Sequence, residues 1–212
     1  MNIIAINSAT LKIKKEIILN NVSITFEKGK IHGLIGRNGS GKSMLMKCIC
    51  GFIKLTDGEI IVNEKIIGKD CDFPSDIGII IETPGFIPYY SGYKNLKLLA
   101  GLNNIISNDV IVETMKLTGL DPYLKRHVRK YSLGMRQRLG LAQAIMENPA
   151  ILILDEPMNG LDKDGVEDMR KLFIRLREDG KTLLIASHSA EDIDILCDTV
   201  CEMDKGILQR IK

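Results

Sequence analysis

No apolar run in the 212-residue sequence is long enough to cross a bilayer. IGIII (77–81) and AILIL (150–154) fall far short of the roughly 18–20 residues a spanning helix needs. The opening MNIIAINSATLKIKK lacks a basic segment, a long apolar stretch and a small-residue cleavage site, so no secretory leader is expected. Excess charge of one sign is also missing. A formal net charge of +2 without a clustered basic face argues against a nucleic-acid partner. The five cysteines (48, 50, 71, 197 and 201) are odd in number, and the pairs 48/50 and 197/201 have no matching CxxC or His pair to complete a zinc site. They read as small apolar residues in a reducing compartment. Internal repeats and low-complexity linkers are absent too. What remains, 45% hydrophobic and 26% charged residues, is the composition of a soluble globular chain. Its length suits one sizeable domain, or a core domain carrying an inserted subdomain.

Short apolar segments alternate with segments of helical period. VSITF (22–26), IHGLI (31–35), IGIII (77–81), AILIL (150–154) and TLLIAS (182–187) predict strands. Residues 44–52, 107–120, 135–147, 165–179 and 190–197 predict helices. Apolar strands without clean alternation are covered on both faces, the habit of a parallel sheet flanked by helices. DGEIIVNEKII (57–67) alternates around a turn and predicts part of an antiparallel hairpin. From Gly85 to about Tyr131 no strand is expected, and aromatics cluster at Phe86, Tyr89, Tyr90 and Tyr93. The expected architecture is α/β: a single domain over 1–212, its core at about 1–84 and 140–212, with a helical subdomain inserted at about 85–139.

GRNGSGKS (36–43) lies between a predicted strand and a predicted helix, the setting a phosphate-binding P-loop requires. Its glycines, Gly36, Gly39 and Gly41, let backbone N–H groups approach phosphate oxygens, and the helix start adds its positive dipole end. Lys42 would neutralise the β- and γ-phosphates, and the Ser43 hydroxyl would ligate Mg²⁺. Arg37, Asn38, Ser40 and Met44 complete the expected nucleotide contacts. ILILDEP (151–157) is a buried strand that delivers Asp155 to its C-terminal end, where ligands bind in parallel α/β sheets. There Asp155 can hold the Mg²⁺ shell, and Glu156 can polarise an attacking water as general base. These residues predict a nucleoside triphosphatase, with adenine or guanine left open.

YSLGMRQRLGLAQAI (131–145), a Ser-Leu-Gly turn opening a helix just ahead of the Asp155 strand, carries a resemblance. With the two preceding motifs in this order and approximate spacing, nearly the whole chain resembles the ATP-binding subunits of ABC transporters. The resemblance implies a P-loop NTPase core with an N-terminal antiparallel β part and an inserted helical subdomain, binding ATP and Mg²⁺. Ser132 and Gly134 match the signature residues that contact the γ-phosphate held by a partner subunit. Tyr131, Leu133 and Met135 depart from the usual LSGGQ. Asp162, in NGLD (159–162), matches a residue at the dimer interface, and His188 matches the switch histidine that senses the γ-phosphate. Two copies would close head to tail on two ATP molecules and drive a separate transmembrane permease, docked near residues 82–95, from the cytoplasmic face of the membrane. The aromatics at 86–93 suit that docking groove or the packing of the subdomain; both readings stay open.

Two further departures carry information. The family stacks adenine on an aromatic ahead of the P-loop, but LKIKKEIIL (11–19) has none, and Ile13 falls near that position. Weaker base discrimination follows. The family also places glutamine, as an Mg²⁺ ligand, where this chain has Glu82. Glutamate there, Pro-Gly-Phe after it and a SLGM-type signature are similar to subunits associated with bacitracin resistance and lantibiotic immunity. That resemblance implies export of, or protection against, peptide antibiotics. The alternative is a non-transport or regulatory ABC-type ATPase with an altered signature.

Overall fold

The apolar runs become strands in the computed structural model, which describes residues 1–212; those at 31–35, 151–155 and 182–186 are almost wholly buried, and those at 22–26 and 77–80 are partly so. In chain order, β1 (Asn2–Ile13), β2 (Glu16–Glu27) and β3 (Ile31–Ile35) precede α1 (Lys42–Ile49). Next come β4 (Asp57–Val62), β5 (Lys65–Ile66) and β6 (Ile77–Ile80). The helices α2 (Gly92–Asn103), α3 (Asn108–Leu117) and α4 (Leu133–Ile145) follow, then β7 (Ile151–Asp155) and α5 (Lys163–Glu178). The chain closes with β8 (Thr182–Ala186), α6 (Ala190–Leu196), β9 (Thr199–Asp204) and β10 (Ile207–Arg210).

Two sheets organise the core. The larger has the order β10-β9-β3-β8-β7-β6, parallel from β9 to β6, with β10 antiparallel at the edge. The smaller, β2-β1-β4-β5, is antiparallel throughout. Asn63 and Glu64, both at positive φ, make the tight turn between β4 and β5. Helix α1 lies between the sheets, so Leu45, Met46 and Ile49 share a core with Ile4, Leu19 and Phe26. On the opposite face of the larger sheet, Met169, Leu172 and Phe173 of α5 pack with Leu152, Leu154, Leu183 and Ile185. A third, smaller core joins α2, α3 and α4 through Leu96, Ile111, Met115, Tyr131 and Leu139. Serines 91, 107 and 132 cap these three helices, each accepting the N–H three residues on.

Several expectations shift. The strand at 77–81 ends at Ile80, so Ile81 already belongs to the turn that carries Glu82. The subdomain limit near 139/140 falls inside the unbroken helix α4. One face of that helix (Leu139, Ala142) packs in the helical core, the other (Leu141, Ala144, Ile145) against the main sheet. The sequence pattern missed β1, whose Asn7, Ser8 and Thr10 interrupt the alternation, with Ser8 at positive φ and the pairing register slipping there. It also missed α2, diluted by two glycines and two asparagines, and the β9–β10 hairpin, whose strands are only six and four residues long. The aromatic cluster divides between its two readings. Phe86 and Tyr93 pack against the helical core, whereas Tyr89 is 61% exposed beside Arg129, and the Lys94 ammonium sits 3.7 Å above the Tyr90 ring.

Candidate active site

Strands β3, β7 and β8 all point their C-terminal ends at one edge of the sheet, and each delivers a different chemistry there. After β3 the chain runs through Gly36 (φ 145), Gly39 (φ 79) and Gly41 (φ 115) into α1. Gly36 is needed for space as well as conformation: a Cβ there would lie 2.2 Å from the Met203 carbonyl oxygen. Gly39 has open space around it and is needed only for its positive φ. Gly41 caps α1 without any side-chain partner, and no acidic residue occupies the first turn, so the helix presents bare N–H groups and a positive end. Lys42, only 6% exposed, donates to the carbonyls of Gly36 (2.7 Å) and Arg37 (3.2 Å). These bonds fold its ammonium back over the loop.

From β7, Asp155 accepts a 2.5 Å hydrogen bond from the Ser43 hydroxyl. The two residues are 112 positions apart in sequence and meet only because β3 and β7 flank β8 in the sheet. Glu156 follows in the left-handed region (φ 49), at a cost of about 1–2 kcal/mol for an L-residue. Its backbone is held by an N–H bond to Ala186 O (2.9 Å), and its carboxylate lies 3.3 Å from Nε2 of His188, which follows β8. Burial pushes the Glu156 carboxyl above the ordinary carboxylate range, opposed by the nearby His188 and helped by Asp155.

These side chains surround a cavity of about 380 Å³ lined by Asn38, Gly39, Gly41, Lys42, Ser43, Met44, Asp155, Glu156, His188 and Ile18. Two buried oxygens, Ser40 Oγ and Glu156 Oε1, have no hydrogen-bond partner, the pattern left by a site built around a polar ligand. A phosphate chain fits this cradle of bare N–H groups and ammonium. A hard divalent cation fits the Ser43–Asp155 pair. No cluster of three His, Cys, Asp or Glu side chains forms anywhere in the chain, so such an ion would take the rest of its oxygens from phosphate and water.

Several of the expected site residues lie outside this cavity, three of them (Ser132, Gly134 and Asp162) having been expected to serve at the interface with the opposite copy. Ile13 does not line the cavity; it is 41% exposed at the end of β1, and Ile18 of β2 supplies the apolar wall. Strand pairing decides this, because β2 runs past the P-loop close enough for the Ile18 carbonyl to lie 3.0 Å from a Cβ at Gly41. Glu82 does not face Ser43 and Asp155. Its carboxylate pairs with Lys47 Nζ at 2.5 Å, because Glu82 takes a positive φ (59) just past the strand end. Ser132 and Gly134 form the N-terminal turn of α4, packed against Gly160, and Asp162 caps α5 by accepting the Gly165 N–H. Arg37 lies on the outer side of the loop, in clefts shared with Glu202.

The motifs thus converge as a family resemblance requires, and comparison with known proteins agrees. The family profile for ABC transporters matches residues 19–159. The chain belongs to the ABC transporter family. The cassette is 43% identical over 206 residues to the Bacillus subtilis ABC transporter ATP-binding protein YybJ, covering 97% of this chain and 94% of that one. It is 39% identical to the bacitracin transport ATP-binding protein BcrA of Enterococcus faecalis, covering 90% of this chain and 63% of that one. It is 38% identical to the lantibiotic transport ATP-binding protein SrtF of Streptococcus pyogenes, covering 88% of this chain and 80% of that one. In fold it is similar to a dimeric ATP-binding cassette in a post-hydrolysis state bound to ADP and Pi, with a TM-score of 0.86, 23% identity and 99% of each chain covered. The cassette is therefore an ATP-binding ATPase subunit of the kind that drives transport through a separate membrane permease. None of its own helices is long and apolar enough to cross a membrane.

Two residues near the site escaped the sequence reading. Lys47 lies four positions after Ser43, one helical turn along α1, and that spacing was its only signal. Gln137 is a buried amide at a core-facing position of α4, in register with Leu141 and Ala144. A polar residue in an apolar helical stripe was the sign to follow.

Proposed function

We propose that the cassette powers a transporter that exports, or protects against, peptide antibiotics, hydrolysing ATP between two copies arranged head to tail. The observation that carries the catalytic part is the meeting of Ser43 with Asp155 beside the half-buried carboxylate of Glu156, which lies 3.3 Å from His188 Nε2. Lys42 and the N-terminal N–H groups of α1 bind the β- and γ-phosphates. Ser43 and Asp155 would hold Mg²⁺, which when bound supplies positive charge against the phosphate oxygens. Glu82 would join them by exchanging its exposed pair with Lys47, and an ion pair that open to solvent is cheap to break. Glu156 orients and deprotonates the attacking water, and His188 stays within reach of both Glu156 and the γ-phosphate. Ser132 and Gly134, at a helix N-terminus, complete the site of the opposite copy, with Asp162 at the interface.

The similarity to BcrA and SrtF, together with Glu82 and the SLGM turn, supports the peptide-antibiotic reading. The exposed Tyr89, near Glu82, suits a permease contact on the 82–95 surface, with the cassette on the cytoplasmic side of the membrane. Two measurements test the proposal. Mg²⁺-dependent ATP turnover is expected for the wild type and not for Glu156→Gln; an inactive wild type would favour a regulatory cassette instead. Expressed with a candidate membrane permease, the active form is expected to lower bacitracin or lantibiotic susceptibility while Glu156→Gln does not. Equal susceptibility with both would remove the antibiotic assignment and leave the ATPase.

A further inference from the structure

Gln137 lies within the 131–145 stretch but has no role assigned to it above, yet it touches the catalytic loop directly. Its side chain is 8% exposed on α4, and Nε2 donates to the backbone carbonyl of Glu156 at 3.1 Å. The same carbonyl accepts the Asn159 N–H at 3.1 Å, while the Glu156 N–H donates to Ala186 O on β8. Both peptide groups flanking Glu156 are therefore held, one by the central sheet and one by α4. This matters because Glu156 sits at φ 49, a conformation an L-residue keeps only where its surroundings enforce it.

A second contact ties the same two segments together. A Cβ at Gly134 would lie 2.8 Å from the Gly160 carbonyl oxygen, and one at Gly160 would lie 2.5 Å from the Leu133 side chain. The Ser-Leu-Gly turn at the head of α4 thus rests on the loop leaving Glu156, and Gln137 bonds the start of that loop one turn further along the helix.

We propose that Gln137 is a positioning residue for Glu156, making the aim of the catalytic carboxylate depend on where α4 holds its N-terminal turn. The proposal rests on the reading of Glu156 as general base and of the Ser132–Gly134 turn as a nucleotide contact for the opposite copy. Under that reading, the turn serves one ATP and Glu156 deprotonates the water that attacks the other. Gln137 then links engagement of the first to competence at the second, within a single chain.

The test is steady-state ATP hydrolysis by the full cassette carrying Gln137→Met, which keeps the volume and removes the donor. Displacing a catalytic group without touching the phosphate cradle should lower kcat about tenfold or more and leave KM within about twofold. The melting temperature should stay within a few degrees of wild type. Gln137→Leu, which likewise has no donor, should show the same kcat loss, and it serves as the readout if the Met variant is insoluble. Wild-type kcat in either folded variant would overturn the proposal, as would a loss of kcat that merely follows lost stability. Glu156→Gln run alongside separates the layers. If it hydrolyses ATP normally, the general-base reading has failed. If it is inactive while Gln137→Met is fully active, only the role of Gln137 has failed.

Discussion

Glu156, the proposed general base, occupies its place at the expense of the fold. Its carboxylate is half-buried, Oε1 has no hydrogen-bond partner, and burial raises its pKa. A carboxyl whose folded pKa is raised stabilises the fold only below that pKa, and its contribution is lost as pH rises through it. Glu156→Gln should therefore melt higher than wild type at pH 7–8, with the gain shrinking toward acid pH. Differential scanning calorimetry across that range checks it, and a lower melting point at pH 8 would contradict the account. Glu82 is a different case: it pairs with Lys47, and the cation site is its proposed alternative. Glu82→Gln removes the ion pair without removing the oxygen ligand. It should keep nucleotide affinity and change the Mg²⁺ concentration at half-maximal turnover, whereas superimposable Mg²⁺ titrations would show that the charge has no part in the cycle. P-loop chemistry could be read locally, because adjacent residues share one turn. The partner of Glu82 could not, because strand pairing sets the direction in which the turn after Ile80 leaves the sheet.

At the scale of elements, α4 is the piece that joins the two halves of the cassette. It lies so close to β6 that a Cβ at Gly78 would meet the Ala144 carbonyl oxygen at 2.0 Å, and one at Gly140 would meet Pro84 at 2.7 Å. Gly78→Ala pushes the helix off the sheet, and overpacking of this kind costs about 1–3 kcal/mol, or several degrees of melting temperature. Because α4 also carries Gln137 and the Ser132–Gly134 turn, the same variant should lose hydrolysis out of proportion to its lost stability. Gly101→Ala is the matched control: Gly101 sits in α2 with nothing near its missing Cβ, so alanine should stabilise the helix by about 0.5–1 kcal/mol and leave hydrolysis unchanged. A neutral Gly78→Ala would show that α4 is not pinned in solution. Glycine in a strand and glycine in a helix look alike in the sequence. Only the packing distinguishes the close approach at Gly78 from the open site at Gly101.

Across the whole molecule, His32 couples the fold to pH. It is fully buried, bonded to Thr199 Oγ1 (2.7 Å) and Glu27 O (2.9 Å), and burial depresses its pKa below the usual 6.5. Below pH 6.5 the unfolded chain takes up this proton more readily than the folded one, so stability falls as the solution is acidified. The melting temperature should drop between pH 7.5 and 5.5, and His32→Gln should drop less. Parallel losses in both would assign the acid sensitivity elsewhere. The order of chemistry along the chain, phosphate loop, helix-opening turn, paired carboxylates and histidine, was enough to indicate a nucleoside-triphosphate-hydrolysing α/β cassette, and its resemblance to ABC subunits implied ATP. Each of those groups declares itself through neighbours in sequence. Strand pairing and helix packing alone settled that Ser43 meets Asp155, that Ile18 rather than Ile13 walls the cavity, that Glu82 pairs with Lys47, and that Gln137 holds Glu156. Those contacts join residues far apart in the chain, and their geometry follows from which strands lie side by side and how closely α4 approaches them.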